Sequence, residues 1–125
     1  MLSTWAIELN LHIVVGVIEC DGGTLYCTGL LFDPHTGLVL RHRKLVPTGS
    51  ERLIWVRGDG FTMRVADTEV GCIGSAICWE NHMPLYRQHL YDQGVQLCCP
   101  PTVDTRENLA RQHAPDRLRR PLFRS

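Results

Sequence analysis

The N-terminal part of the chain alternates between apolar, β-branched runs and short polar turns. Such runs, bounded by Gly, Pro and Asp, predict β-strands. The predicted strands are Leu11–Glu19, Thr24–Phe32 and Leu38–His42, separated by turns at Asp21-Gly22-Gly23 and Asp33-Pro34-His35-Thr36-Gly37. Because turns this short join neighbouring antiparallel strands, the pattern predicts a three-stranded antiparallel meander.

The middle of the chain loses this periodicity and then recovers it. Residues 45–60 predict a long loop, since they contain the breakers Pro47, Gly49, Gly58 and Gly60. Long loops in compact domains are usually functional or mobile. Two further strands are predicted at Phe61–Ala66 and Val70–Ile77, around a turn at Asp67-Thr68-Glu69.

A helical pattern follows at Pro84–Tyr91, where Leu85, His89 and Leu90 fall near one face. Its leading proline suits the first turn of a helix.

The flanks of this helix carry end signals. Asn81 is a candidate N-terminal cap, and Gly94 suits the position just after the last turn. A last strand is predicted at Val95–Cys99, and a helix at Thr105–His113 with Asp104 as its cap.

Composition and charge are those of an ordinary globular protein. The 125 residues are 44% hydrophobic and 21% charged, with zero net charge, and the length fits one domain. Residues 111–125 contain five arginines and one acid, which predicts a domain at 1–110 and a disordered basic tail at 111–125. We expect no nucleic-acid partner, since a short arginine cluster is usually a solvated terminus. We expect no membrane partner, because the apolar runs are far too short to cross a bilayer.

Cysteine usage indicates a reducing compartment. The six cysteines form no C-x-x-C pair, and the first residues lack the basic start of a secretory signal. We therefore expect a reduced, cytoplasmic protein. The spacing does not favour a four-ligand zinc site, and we expect neither a metal nor a cofactor.

Cys78 is a candidate nucleophile, since it follows a strand of small and apolar residues and precedes the predicted helix. Backbone amides and the helix dipole at such a turn lower the pKa of a thiol and can hold an oxyanion. The alternative is that Cys78 is simply a buried small apolar residue, as most free cysteines are. That alternative is favoured for Cys20, Cys27 and Cys72, which lie within predicted strands.

Lys44 is the single lysine among thirteen bases. A lysine is a compact donor whose pKa can shift, whereas arginine stays protonated. Lys44 ends a predicted strand beside the long loop, where functional sites gather; the alternative is an accident of codon usage. Its neighbours Arg41, His42 and Arg43 are expected to be solvated.

These motifs together resemble the nitrilase branch of the carbon–nitrogen hydrolase superfamily, over residues 11–107. The resemblance is carried, in order, by Leu25-Tyr26-Cys27-Thr28, His42-Arg43-Lys44-Leu45-Val46-Pro47-Thr48, Glu51-Arg52-Leu53-Ile54-Trp55, Gly58-Asp59-Gly60, Ala76-Ile77-Cys78-Trp79-Glu80-Asn81-His82-Met83-Pro84 and Cys99-Pro100-Pro101-Thr102. It implies an α/β fold: a partial αββα sandwich, with a mixed sheet and a nucleophile-bearing strand–turn–helix, incomplete at both ends.

The resemblance also implies a chemistry in which a Glu–Lys–Cys triad converts a nitrile to the carboxylic acid and ammonia through a thioimidate and a thioester. Cys78 would be the nucleophile, Lys44 would stabilise negative charge and pass protons, and Glu51 would position groups around the lysine. The backbone N–H of Trp79 would donate to the oxyanion. Family members assemble as oligomers, and the helix Pro84–Tyr91 corresponds to one of their subunit contacts.

One element of the family pattern is unmatched. The general-base glutamate lies upstream of the lysine in the family, and none of the acids before Lys44 has its context; these are Glu8, Glu19, Asp21 and Asp33. We therefore expect a truncated nitrilase fragment with weak or no activity alone. The alternative is an inactive fragment that associates with nitrilase subunits.

Overall fold

A computed structural model describes residues 1–103. The two α-helices are α1 (Leu2–Leu9) and α2 (Pro84–Asp92), and the six strands are β1 (Ile13–Asp21), β2 (Thr24–Asp33), β3 (Gly37–Arg43), β4 (Val65–Thr68), β5 (Gly71–Ser75) and β6 (Leu97–Cys99). Two 3-10 helices lie at Gly49–Leu53 and Cys78–His82. The predicted helix at Thr105–His113 and the basic tail at 111–125 lie outside the described residues.

The first sheet is the predicted antiparallel meander, in the order β1-β2-β3. The turn between β1 and β2 consists of Gly22 and Gly23, whose φ angles are +56° and +81°. Glycine adopts this left-handed geometry without steric cost, and it matches the twist of the two strands.

The second sheet is mixed, in the order β4-β5-β6. β4 and β5 are antiparallel, whereas β5 and β6 are parallel and are connected through α2. A parallel pair requires such a crossover. The end of β5 therefore leads directly into the 3-10 helix at Cys78–His82, the strand–turn–helix that the pattern around Cys78 predicts.

The two sheets pack against each other through their apolar faces. Leu31 and Leu40 from the first sheet meet Ala66 and Ile73 from the second, and all four side chains are buried. In a second cluster, Tyr86 and Leu90 of α2 pack against Ala76, which follows β5. The ends of β3 and β5 are held near each other by this packing.

Several predicted boundaries are wrong. The strand expected at Phe61–Ala66 begins only at Val65, because residues 61–64 form a turn, and the loop at 45–60 contains a 3-10 helix. The strand expected at Val95–Cys99 begins at Leu97, because the Val95 N–H still bonds the Leu90 carbonyl at the end of α2. With Gly94 in the left-handed region, at φ +79°, this is a Schellman ending.

The helix α2 is rotated relative to the prediction. Tyr86 and Leu90 face the core, whereas Leu85 is 87% exposed and His89 is exposed. Asn81 is not the cap, since the chain forms a 3-10 helix there and the N-cap position falls on Met83.

The helix α1 lies in a segment for which the sequence pattern predicts no element. It buries only Ala6 and ends at Asn10, in the left-handed conformation. No helix within residues 1–103 is long and apolar enough to span a bilayer.

Candidate active site

Lys44 lies directly after β3, with its side chain only 1% exposed. Its Nζ donates to Glu51 Oε2 at 2.7 Å and to Thr48 Oγ1 at 3.4 Å. A buried ammonium requires such partners, because burying an unpaired charge is very costly. The structure thus brings together two of the predicted site residues.

Glu51 is oriented by the start of the 3-10 helix Gly49–Leu53. Its Oε2 accepts the backbone N–H of Thr48 at 2.7 Å and the Thr48 hydroxyl at 3.1 Å. Burial raises the pKa of Glu51, but the hydrogen bonds from Lys44 and Thr48 outweigh it, so the pKa lies below its ordinary value. Glu51 is therefore ionised at neutral pH and balances the lysine charge.

Cys78 occupies a strained turn at the opposite side of the site. It is half-buried, its φ is +53°, and its N–H donates to the Pro101 carbonyl at 3.1 Å. A non-glycine residue in this conformation costs about 1–3 kcal/mol and persists only where its surroundings enforce it, which is frequent at functional sites.

Trp79 follows the cysteine and is 51% exposed, with its ring edge against His82. Its backbone N–H lies in the first turn of the 3-10 helix Cys78–His82, where amides lack an intrahelical partner. An uncommitted amide beside a thiol is the type of donor that stabilises an oxyanion.

His42 is only 1% exposed, contrary to the expectation that it is solvated. Alternation along β3 turns Leu40 and His42 inward and Arg41 outward, so strict application of the period-two rule predicts this burial. Arg43 is also largely covered, with its side chain 13% exposed and bound to Glu19. The expectation that His42 and Arg43 are solvated is therefore wrong.

Glu80 links the two sides of the site and was not among the predicted site residues. It is 0% exposed. Its carboxylate accepts the Leu45 N–H at 2.6 Å and the Ile77 N–H at 2.8 Å, and contacts His42 Nε2 at 2.9 Å. The hydroxyl of Tyr86 also contacts His42 Nε2, at 3.1 Å.

Cys27 lies among these groups rather than in an unrelated part of the core. Burial raises the pKa of its thiol to about 11, with Lys44 opposing the shift and Glu51, Glu80 and Cys78 adding to it. Cys27 thus shares the electrostatic surroundings of the site while remaining a protonated thiol.

The acids upstream of Lys44 lie elsewhere in the described structure. Glu19 and Asp21 bind Arg43, and Asp33 accepts hydrogen bonds within its own turn, whereas Glu8 is exposed. Among residues 1–103, Glu51 is the only carboxylate bonded to the Lys44 ammonium.

The described residues show how the cysteines and the possible metal ligands are arranged. All six cysteines lie within them as free thiols. Residues 1–103 contain no group of three His, Cys, Asp or Glu side chains that could hold a metal ion.

Nitrilases are prominent among proteins of similar sequence. The chain is 57% identical over 94 residues to a nitrilase of Bradyrhizobium diazoefficiens, covering 75% of this chain and 29% of that one. It is 56% identical over 103 residues to nitrilase 3 of Arabidopsis thaliana, covering 82% and 30%. It is 52% identical over 109 residues to an aliphatic nitrilase of Sinorhizobium fredii, covering 87% and 35%. The chain thus spans about a third of the length of these relatives.

Solved structures of low sequence identity have the same fold. An amidase from Nesterenkonia, with acrylamide added to its active-site cysteine, matches with a TM-score of 0.76 at 18% identity, over 90% of this chain and 44% of that one. The yeast Nit3 protein, from branch 10 of the nitrilase superfamily, matches with a TM-score of 0.75 at 22% identity, over 90% and 41%. The expected partial nitrilase-type sandwich is therefore confirmed. Residues 1–118 also match the carbon–nitrogen hydrolase family as a whole. The chain belongs to the carbon–nitrogen hydrolase family and is similar to its nitrilases.

Proposed function

We propose that this chain carries the nucleophile and its lysine partner of a nitrile-hydrolysing site. The observation that carries the proposal is the Lys44 ammonium, 1% exposed, paired with Glu51 at 2.7 Å and tied through Glu80 to the turn that bears Cys78. Identity of 52–57% to nitrilases over most of the chain supports a nitrile as the substrate class.

In the proposed reaction the Cys78 thiolate attacks the nitrile carbon. A carbon–sulfur bond forms, one π bond of the nitrile breaks, and its electron pair moves to nitrogen, which takes a proton and gives a thioimidate. Water then adds and ammonia leaves, giving a thioester. A second water releases the carboxylic acid and restores the thiol.

Each neighbouring group has a part in these steps. The Lys44 ammonium stabilises negative charge on nitrogen or oxygen and relays protons, while Glu51 holds the lysine side chain in place through their 2.7 Å contact. The Trp79 N–H donates to the oxyanion. Activity of the isolated chain is expected to be slow, because general acid–base assistance typically contributes about 10²–10⁴-fold and no upstream acid reaches Lys44 among residues 1–103.

The test is incubation of the purified 125-residue chain with benzonitrile and with an aliphatic nitrile. We expect ammonia above the buffer level and a mass increase of one nitrile on the peptide containing Cys78. Cys78→Ala should abolish both signals, whereas Cys20→Ala, at an exposed cysteine, should retain them. Equal ammonia from the chain, Cys78→Ala and buffer, with no adduct, excludes the proposed activity.

A second candidate function is non-catalytic association with nitrilase subunits. It is favoured by large apolar side chains on the surface of the described residues: Leu85 on α2 is 87% exposed, Leu53 is 88% exposed and Phe61 is 79% exposed. Burying such groups against another subunit removes apolar area from water. This function would be supported over catalysis if the chain co-purified with an intact nitrilase and Leu85→Glu weakened that association. Neither the parent chain nor the variant should then turn over a nitrile.

A further inference from the structure

The two key residues of the proposed site belong to different sheets. Lys44 follows β3 of the first sheet, and Cys78 follows β5 of the second. No β-ladder joins the two sheets within residues 1–103. Their relative position therefore depends on side chains that cross between the sheets.

The Glu80 carboxylate makes this crossing at the site itself. One oxygen accepts the N–H of Leu45, the residue after Lys44, at 2.6 Å. The other accepts the N–H of Ile77, the residue before Cys78, at 2.8 Å. The Glu80 N–H returns a bond to the Ile77 carbonyl at 3.1 Å, which closes a small ring around the turn.

Two further buried groups orient this carboxylate. His42 Nε2 lies 2.9 Å from Glu80 Oε2 and 3.1 Å from the Tyr86 hydroxyl. Tyr86 in turn donates to the Ser75 carbonyl at the end of β5. His42, Glu80 and Tyr86 are 1%, 0% and 4% exposed, so water cannot substitute for these bonds.

We propose that Glu80, oriented by His42 and Tyr86, is a positioning residue that sets the placement of Cys78 relative to Lys44. It touches no reacting atom in this proposal, and it acts by restraining the backbone beside each residue. The strained φ of +53° at Cys78 requires such enforcement, because an unrestrained turn would relax away from it. The inference rests on the proposed function for the roles of Cys78 and Lys44.

The test uses alkylation by iodoacetamide, which requires neither nitrile nor turnover. The rate at each cysteine is measured against pH by peptide mass spectrometry in the full chain and its variants. Glu80→Gln keeps the size but replaces one acceptor by a donor facing a backbone N–H. We expect the alkylation rate of Cys78 at neutral pH to fall about tenfold, because the turn would no longer hold the thiol in place relative to Lys44. Glu69→Gln, at an exposed glutamate, should leave the profile within about twofold of the parent.

Loss of the Glu80 charge alone would favour the thiolate and raise this rate, a result that overturns the inference, whereas a role in stability alone would leave the Cys78 profile of the folded protein unchanged. Should Glu80→Gln fail to fold, the deciding variant is Tyr86→Phe, which keeps the ring and removes only the hydroxyl. We expect Tyr86→Phe also to slow the alkylation of Cys78, by a smaller factor than is expected for Glu80→Gln. The inference is overturned if folded Glu80→Gln alkylates Cys78 with the same pH profile as the parent. If Glu80→Gln does not fold, the same result in Tyr86→Phe overturns it. Missing ammonia release together with the slower alkylation of Cys78 would instead count against the proposed function alone.

Discussion

Replacing Glu51 by glutamine removes the charge that balances Lys44. The Lys44 Nζ lies 2.7 Å from the Glu51 carboxylate, with the two side chains 1% and 25% exposed. In Glu51→Gln the ammonium stays buried but loses its only carboxylate partner within residues 1–103. The glutamine oxygen still accepts the Thr48 N–H, so the start of the 3-10 helix is retained.

The magnitude lies between two limits. Breaking a fully buried pair by removing one partner costs about 3–5 kcal/mol, whereas an exposed pair contributes about 0.2–1 kcal/mol. Since Glu51 is a quarter exposed and Lys44 is covered, we expect a loss of about 2–3 kcal/mol. For a chain of this size that lowers the Tm by roughly 8–12 °C.

The pH dependence has a definite sign. The folded pKa of Glu51 is lowered, by Lys44 and Thr48 acting against burial. Its contribution is therefore present above the unfolded pKa of about 4.3 and disappears as pH falls through the folded value. The difference in the free energy of unfolding between the parent and Glu51→Gln should therefore become smaller below about pH 4.

Urea denaturation followed by far-UV circular dichroism, from pH 3 to pH 7, measures this difference. The control is Lys44→Met in the Glu51→Gln background, which removes the stranded charge and should recover part of the loss. The reasoning would be refuted if Glu51→Gln lowered the free energy of unfolding by less than about 0.5 kcal/mol, or if this loss did not become smaller at acidic pH.

Three further predictions concern the surroundings of the site. Glu19→Gln should cost about 1–2 kcal/mol, because the hydrogen bond from Arg43 lowers the pKa of Glu19 to about 2; the difference should disappear between about pH 4.5 and pH 2 in acid titrations. Gly58→Ala should cost about 2–3 kcal/mol in urea melts, since its Cβ would lie 2.3 Å from the Arg43 carbonyl oxygen. In native alkylation at pH 8, Cys27 should react far more slowly than exposed Cys20, because burial raises its pKa to about 11, and urea should abolish the difference.

Matched controls are available in the same chain. Glu69→Gln removes an exposed pair with His35 at 3.4 Å and should change stability by less than about 0.5 kcal/mol. Gly22→Ala meets no atom within 4 Å, although its φ is +56°, so it should cost only about 1 kcal/mol. If Glu19→Gln loses no more stability than Glu69→Gln, the argument for the Glu19 ion pair is contradicted. If Gly58→Ala loses no more stability than Gly22→Ala, the argument for the contact at Gly58 is contradicted. Equal native labelling of Cys27 and Cys20 would contradict the argument for Cys27.

Local patterns were sufficient for the meander and for the existence of the strands that precede Lys44 and Cys78. Alternating apolar residues and the Gly22–Gly23 turn encode β1 and β2 within a few residues, because strand pairing across a tight turn is a local property. The Thr48-to-Glu51 spacing is likewise a local capping signal. The motifs around Lys44 and Cys78 also carry the family resemblance.

The tertiary structure alone decided which buried side chains surround the site. Glu80 bonds Leu45 and His42 across 35 and 38 positions, and Tyr86 reaches His42 across 44. It also decided that Tyr86 rather than Leu85 faces inward on α2. The reason is physical: the pairing of a buried carboxylate, imidazole and phenol depends on how two sheets and a helix pack together, and no periodicity along one segment records that packing.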